Sequence, residues 1–212
     1  MFTLLDKNQK TPDQDKFLVY RMKWRFWFQE VESPGQQFSD LTQFNWGGMA
    51  SPTEYDVPKC GEGVFGCTKG ADGHWTHMMN GTWTVGEMRP SKSRTGEPEL
   101  TNASAVRFIS LRGHCHAPTC IQFDLLNADT GELICSQRPI YGDGSSQDFQ
   151  EDGYVSIPPC LFGPEGEGLP LPPGGMNGLP LNTKLFSKKV CQADYAHHGE
   201  MSLWQSYGEL VA

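Results

Sequence analysis

Val106-Arg107-Phe108-Ile109-Ser110-Leu111-Arg112-Gly113-His114-Cys115-His116 is the stretch whose reading decides the fold. Side chains of a strand alternate between its two faces. Val106, Phe108, Ser110, Arg112, His114 and His116 share one parity, and Arg107, Ile109, Leu111 and Cys115 share the other. Apolar groups on both faces mark a central strand. His114 and His116 then project from one face, where two imidazoles can reach a single metal ion, so the segment from Arg112 to Cys120 is the first candidate site.

The neighbouring segments repeat the strand signal. Ile121 to Leu126 reads as a strand, Asn127-Ala128-Asp129-Thr130-Gly131 as a hairpin turn, and Leu133 to Gln137 as the returning strand. Tyr154 to Ile157 is a further strand, ended by Pro158-Pro159. Upstream, Leu18, Tyr20, Met22, Trp24, Phe26 and Phe28 alternate with polar residues as in a long half-buried strand, and the segment from His74 ends as a strand near Val85. Downstream, Phe186 to Cys191 and Met201 to Tyr207 complete the set. Residues 32–73 are rich in turn formers. With no internal repeat and no amphipathic helix, the expected class is all-β, an antiparallel jelly-roll-like sandwich with long loops and disulfides. Residues 1–16 are expected to be an extended lead-in, and 17–212 one sandwich domain in which 163–182 form a long Pro/Gly-rich surface loop.

Composition narrows the function classes. A chain of 212 residues can bury a core without help. The net charge of -8 and the lack of a basic run argue against nucleic acid as a partner, and no apolar run approaches a membrane span. Seven cysteines imply a disulfide-supported fold in an oxidising compartment, secreted, lumenal or extracellular, with one cysteine left over. Cys60 and Cys67 either close a local bridge or anchor their loop by separate ones. Cys115 points away from the flanking histidines and is expected in a disulfide, while Cys120, Cys135, Cys160 and Cys191 pair among themselves or with the loop cysteines. Asn80-Gly81-Thr82 and Asn102-Ala103-Ser104 are glycosylation sequons. Met1 to Lys10 lacks the basic and apolar regions of a signal peptide.

The six histidines fall in three pairs, His74 with His77, His114 with His116, and His197 with His198, and Met201 lies three residues beyond the last. Imidazole and thioether donors suit copper better than calcium or magnesium, with zinc the lesser choice. His114 and His116 are the expected imidazole ligands, with the Met201 thioether a candidate donor beside them. His77, which could complete a three-imidazole site, and His197 or His198, which could replace Met201, are the alternatives; a zinc site of His114, His116 and Cys120 is the competing chemistry. There is no nucleophile with a base, no phosphate loop and no paired-carboxylate signal, so any catalysis would be metal chemistry.

The order Arg112-x-His114-x-His116, a hairpin at Asp129-Thr130-Gly131, a strand ending at Cys160, a loop and a last strand opening at Met201 resembles the second copper domain of the ascorbate-dependent copper monooxygenases, the peptidylglycine α-hydroxylating and dopamine β-monooxygenases. The resemblance covers roughly residues 106–210. It implies a jelly-roll sandwich, a copper held by His114, His116 and Met201 at which oxygen is activated, and a role for Arg112 in holding a peptide carboxylate. The chain departs from that family in having room for one domain rather than two, and in carrying Trp204 and Gln205 where a substrate-binding tyrosine is expected. Stretches such as His198-Gly199-Glu200-Met201 also resemble proteins of marine microalgae, which implies no function. Three readings follow: an oxygenase-like copper domain acting on a small-molecule or peptide substrate, a non-catalytic secreted copper module, and a structural subunit docking a protein or glycan partner.

Overall fold

A computed structural model describes residues 22–24, 26, 30, 41–47, 54–90, 100–116, 119–145, 147, 149–152 and 154–212. In chain order the strands are β1 (Thr42–Gly47), β2 (Glu54–Val57), β3 (Cys67–Lys69), β4 (Trp75–Thr84), β5 (Arg89–Pro90), β6 (Ala105–Gly113), β7 (Cys120–Asn127) and β8 (Leu133–Gln137). They continue with β9 (Ile140–Tyr141), β10 (Val155–Ser156), β11 (Cys160–Leu161), β12 (Leu179–Pro180), β13 (Lys184–Gln192), β14 (His197–Met201) and β15 (Leu203–Val211). One sheet runs β11-β6-β15-β1-β5 with β12 also on β6, and the other runs β3-β4-β13-β7-β8. Every pairing within them is antiparallel.

The two sheets face each other across one aromatic core, giving the expected all-β sandwich. Phe44 and Trp46 of β1, Phe108 and Leu111 of β6 and Trp204 of β15 meet Phe123 and Leu125 of β7 and Leu185 of β13. The Trp204 ring lies 4.5 Å from that of Phe123, and its Nε1–H donates to Ser187 Oγ on the opposite sheet at 2.9 Å. Each such side chain contributes roughly 1.5–3 kcal/mol by leaving water. The Cys135–Cys160 disulfide joins β8 of one sheet to β11 of the other. No helix among the described residues is long and apolar enough to cross a membrane.

A smaller two-stranded sheet, β14 with β2, brings Val57 into a second cluster with Cys60, Met79, Cys191 and Ala193. Most sequence-predicted strands are present. The turn after β7 is built by Asn127, whose Oδ1 accepts from the N–H groups of Asp129 and Thr130 before Gly131 takes a φ of 75°.

Three expectations need correction. The segment 32–73 contains β1, whose Thr42, Phe44 and Trp46 are buried, so it is core as well as loop. The final strand opens at Leu203, whereas Met201 closes β14. Of the strand expected over 18–28, only Met22, Lys23, Trp24 and Phe26 are described; none is in a strand, and Met22, Trp24 and Phe26 are exposed. The rest of that stretch and the lead-in 1–16 lie outside the described residues.

Candidate metal centre

Two features of β6 set the position of the histidines. The pairing with β15 matches Tyr207 to Ser110 and Gly208 to Phe108, so the register skips Ile109. This β-bulge exchanges the inward parity: Val106 and Phe108 face the core before it, and Leu111 and Gly113 after it. The single parity from Val106 to His116 expected from the sequence is therefore broken. Arg112 is turned outward and exposed.

The strand stops at Gly113, and His114 to His116 lie in the connection to β7 rather than in a strand. Gly113 is required there, because a methyl group would collide with the ring of Phe123 and press on Gln137 Oε1. Its N–H donates to Gln137 Oε1, while Gln137 Nε2 donates to Pro158 O at 2.6 Å. The Cys115–Cys120 disulfide and a Cys120 N–H to His116 O bond of 2.8 Å then close the loop. In the oxidised chain Cys120 is thus committed to sulfur, which removes it there from the zinc set with His114 and His116.

Although they do not alternate in a strand, the two imidazoles converge. Their Nε2 atoms are hydrogen-bonded at 2.9 Å, one ring donating to the other according to their tautomers, with ring centroids separated by 4.8 Å and planes inclined by 77°. Two nitrogens bound at about 2.0 Å to one ion at angles between 90° and 109° would be about 2.8–3.3 Å apart. Burial lowers the pKa of His114, reinforced by His116, Lys189 and Arg112 and opposed by Glu200. A neutral imidazole is the form that binds metal.

Beneath the pair lies a buried charge that sequence reading missed. Lys189 Nζ donates to Glu200 Oε1, to His114 O at 3.0 Å and to Met201 O, so all three ammonium protons have acceptors. It also sits 5.6 Å from the Phe123 ring centroid. Glu200 Oε2 accepts from Thr119 Oγ1, which contacts His116 O as well, each at 2.8 Å. Burial alone would raise the Glu200 pKa; His197, Lys189 and Thr119 outweigh it and bring it to about 2. The signal was parity: Lys189 alternates with Leu185, Ser187 and Cys191, the buried face of β13.

The remaining candidates are placed differently. Met201 enters through its backbone carbonyl, the acceptor for Lys189. His197 Nε2 is 3.5 Å from Glu200 Oε2, beyond an ordinary hydrogen bond. His198 pairs with Asp56 at 3.0 Å, both side chains exposed, across β14 and β2. His74 pairs with Asp194 at 2.7 Å, which raises the His74 pKa. His77 is buried against Tyr55 and the Cys60–Cys67 disulfide, and its pKa is lowered by burial and then by His197. Among the described residues the His, Cys, Asp and Glu set with ligand atoms within 4.8 Å of one another is Cys60, Cys67 and His77, which does not include the His114–His116 pair.

Three disulfides and one free, buried cysteine, Cys191, fit an oxidising compartment. Comparison with family models, curated proteins and solved structures finds no match to this chain.

Proposed function

We propose that this chain is an exported metal-binding protein in which His114 and His116 hold one transition-metal ion, copper before zinc. The observation that carries the reading is the 2.9 Å approach of the two Nε2 atoms on a loop fixed from both sheets. Lys189 ties down the carbonyl of His114, Gln137 the preceding N–H, Thr119 the carbonyl of His116, and the Cys115–Cys120 bridge closes the loop. Such supporting contacts hold ligands in a binding geometry before the ion arrives. Imidazole donors favour copper by the ordinary affinity order of divalent ions. Met201, on β14, would supply a further ligand, while His197 does not share ligand distance with both rings.

Copper bound there would supply one-electron redox chemistry, given an external reductant. Lys189 and Glu200 neutralise one another below the loop, and Arg112, exposed on the outer face, is free to meet an acidic group of a substrate. The monooxygenase-like reading extends the same site and takes a small-molecule or peptide substrate. Elemental analysis of the oxidised, purified chain tests the first step: about one copper per chain, reduced in His114→Ala and in His116→Ala and lost when both are replaced, is the expected result. Ascorbate and oxygen then separate the enzyme from a non-catalytic module, since only the enzyme yields a hydroxylated product, whereas any copper that ascorbate reduces passes electrons to oxygen and gives peroxide.

A docking subunit is the second reading. Phe65, 96% exposed at the tip of the Cys60–Cys67 loop, and Tyr195, 56% exposed, offer aromatic surface to a protein or glycan.

A further inference from the structure

The Cys60–Cys67 loop is a chemically separate cluster. Cys67 and His77 are register partners on β3 and β4, and the Cys67 Sγ to His77 Nδ1 distance is 3.7 Å. Cys60 belongs to the same group, its sulfur and those two atoms all lying within 4.8 Å of one another. His77 is only 3% exposed. Its other nitrogen, Nε2, faces Tyr55 OH at 3.2 Å, and the two rings stack with centroids 5.5 Å apart. That contact fixes the ring and leaves Nδ1 turned toward sulfur, the arrangement in which an outer partner orients a metal-binding imidazole. Gly66 makes room for the ring: its φ is 75°, and a Cβ there would come within 2.9 Å of His77 Cε1.

The backbone around the cluster is held independently of the disulfide. Cys60 N–H donates to Ala193 O at 2.9 Å, and Met78 N–H donates to Gly66 O at 2.9 Å. Breaking the sulfur–sulfur bond therefore leaves both cysteines anchored beside His77. In tetrahedral zinc sites with Zn–S of about 2.3 Å and Zn–N of about 2.0 Å, sulfur and nitrogen ligands are about 3.5 Å apart, close to the separation already present.

We propose that Cys60, Cys67 and His77 form a redox-gated zinc site. In the oxidised chain the two sulfurs are joined and hold no metal. A dithiol reductant gives two electrons to the sulfur–sulfur bond and becomes a disulfide itself; the two thiols produced release their protons to solvent as Zn²⁺ takes both thiolates and His77 Nδ1. A water completes the fourth position on the side of half-exposed Cys67. Reoxidation by a disulfide oxidant joins the two sulfurs, converts the oxidant's disulfide into two thiols that take up two protons from solvent, and releases the ion. This site shares no ligand with the His114–His116 pair, and either can fail without the other.

The test uses the full-length chain carrying Cys115→Ser, Cys120→Ser, Cys135→Ser, Cys160→Ser and Cys191→Ser, so that Cys60 and Cys67 are its only thiols once it is reduced with a phosphine; it is titrated with Co²⁺ and then Zn²⁺, with far-UV circular dichroism recorded before reduction and throughout. The expected result is one equivalent of cobalt with thiolate charge-transfer and tetrahedral d–d bands, bleached by zinc, and no such bands in the oxidised chain. Cys60→Ser with Cys67→Ser should abolish the bands, and His77→Ala should weaken cobalt binding at least about 10-fold, no less than loss of an outer-shell partner costs. His114→Ala with His116→Ala should leave the bands unchanged. Bands that persist in the Cys60→Ser, Cys67→Ser variant, a folded reduced chain with no thiolate bands, or unfolding on reduction that zinc does not reverse would each overturn the proposal.

Discussion

Lys189 and Glu200 form an ion pair across β13 and β14 in which the side chains are 0% and 1% exposed. A buried pair of this kind is stabilising only while both partners remain, because a lone charge left in the core has no solvent to compensate it. Lys189→Met should therefore cost about 3–5 kcal/mol, and Lys189→Met with Glu200→Leu should recover much of that loss. Urea unfolding of the single and double variants measures both. Since Lys189 also holds the carbonyls of His114 and Met201, the double variant should regain stability without regaining copper affinity.

Glu200, whose carboxylate is favoured by His197, Lys189 and Thr119 together, also sets an acid limit. The Glu200 pKa lies at about 2 in the folded chain against an ordinary 4.5, so between these values the unfolded state binds more protons. Stability from this residue is thus fully present above about pH 4.5 and is lost as pH falls toward 2. The contribution is on the order of 3 kcal/mol. Unfolding free energy measured by urea titration should fall across this window in the native chain, and Glu200→Gln should flatten that part of the curve.

Gly113 is where the core and the candidate site meet. Gly113→Ala forces a methyl into Phe123 and Gln137, and overpacking of this kind costs about 1–3 kcal/mol. Thermal denaturation should show that loss. Copper affinity should fall further than in an equally destabilised Leu185→Val variant, because Gly113 immediately precedes His114.

Cysteine chemistry gives a further check. Cys191 is buried and its thiol is pushed up to about 12, chiefly by burial and then by the charge of Glu200. A thiol reagent at neutral pH should therefore react with the oxidised chain only slowly, and with one thiol per chain once it is denatured. Removing the Cys135–Cys160 bridge, which closes a span of 25 residues, should cost about 3–4 kcal/mol by the chain-entropy relation, read from the shift in the urea midpoint.

The fold was legible wherever alternation was regular and uninterrupted. β7, the Asn127–Gly131 turn and β8 follow their sequence signals within a residue or so. β1 carries the same period of two, with Thr42, Phe44 and Trp46 inside and Gln43 and Asn45 less buried, but turn formers on both sides obscured it. The bulge at Ile109 was not legible, because one skipped residue reverses every later side chain without changing composition. His114 and His116 were therefore chosen for a strand geometry they do not have, and the loop brings their rings together by other means. Lys189 shows the complementary difficulty: a buried lysine is rare enough that its parity with Leu185 and Cys191 is easily discounted, and its acceptors come from β14 and from the loop after β6.

The central claim is that His114 and His116 hold copper together. Electron paramagnetic resonance of the oxidised chain with one equivalent of Cu²⁺ measures this directly. The expected spectrum is a single bound species with nitrogen hyperfine coupling, weakened in His114→Ala and in His116→Ala and lost when both are replaced, while His77→Ala leaves it unchanged. A spectrum of free aqueous copper, or nitrogen coupling that survives the double replacement, would contradict the account.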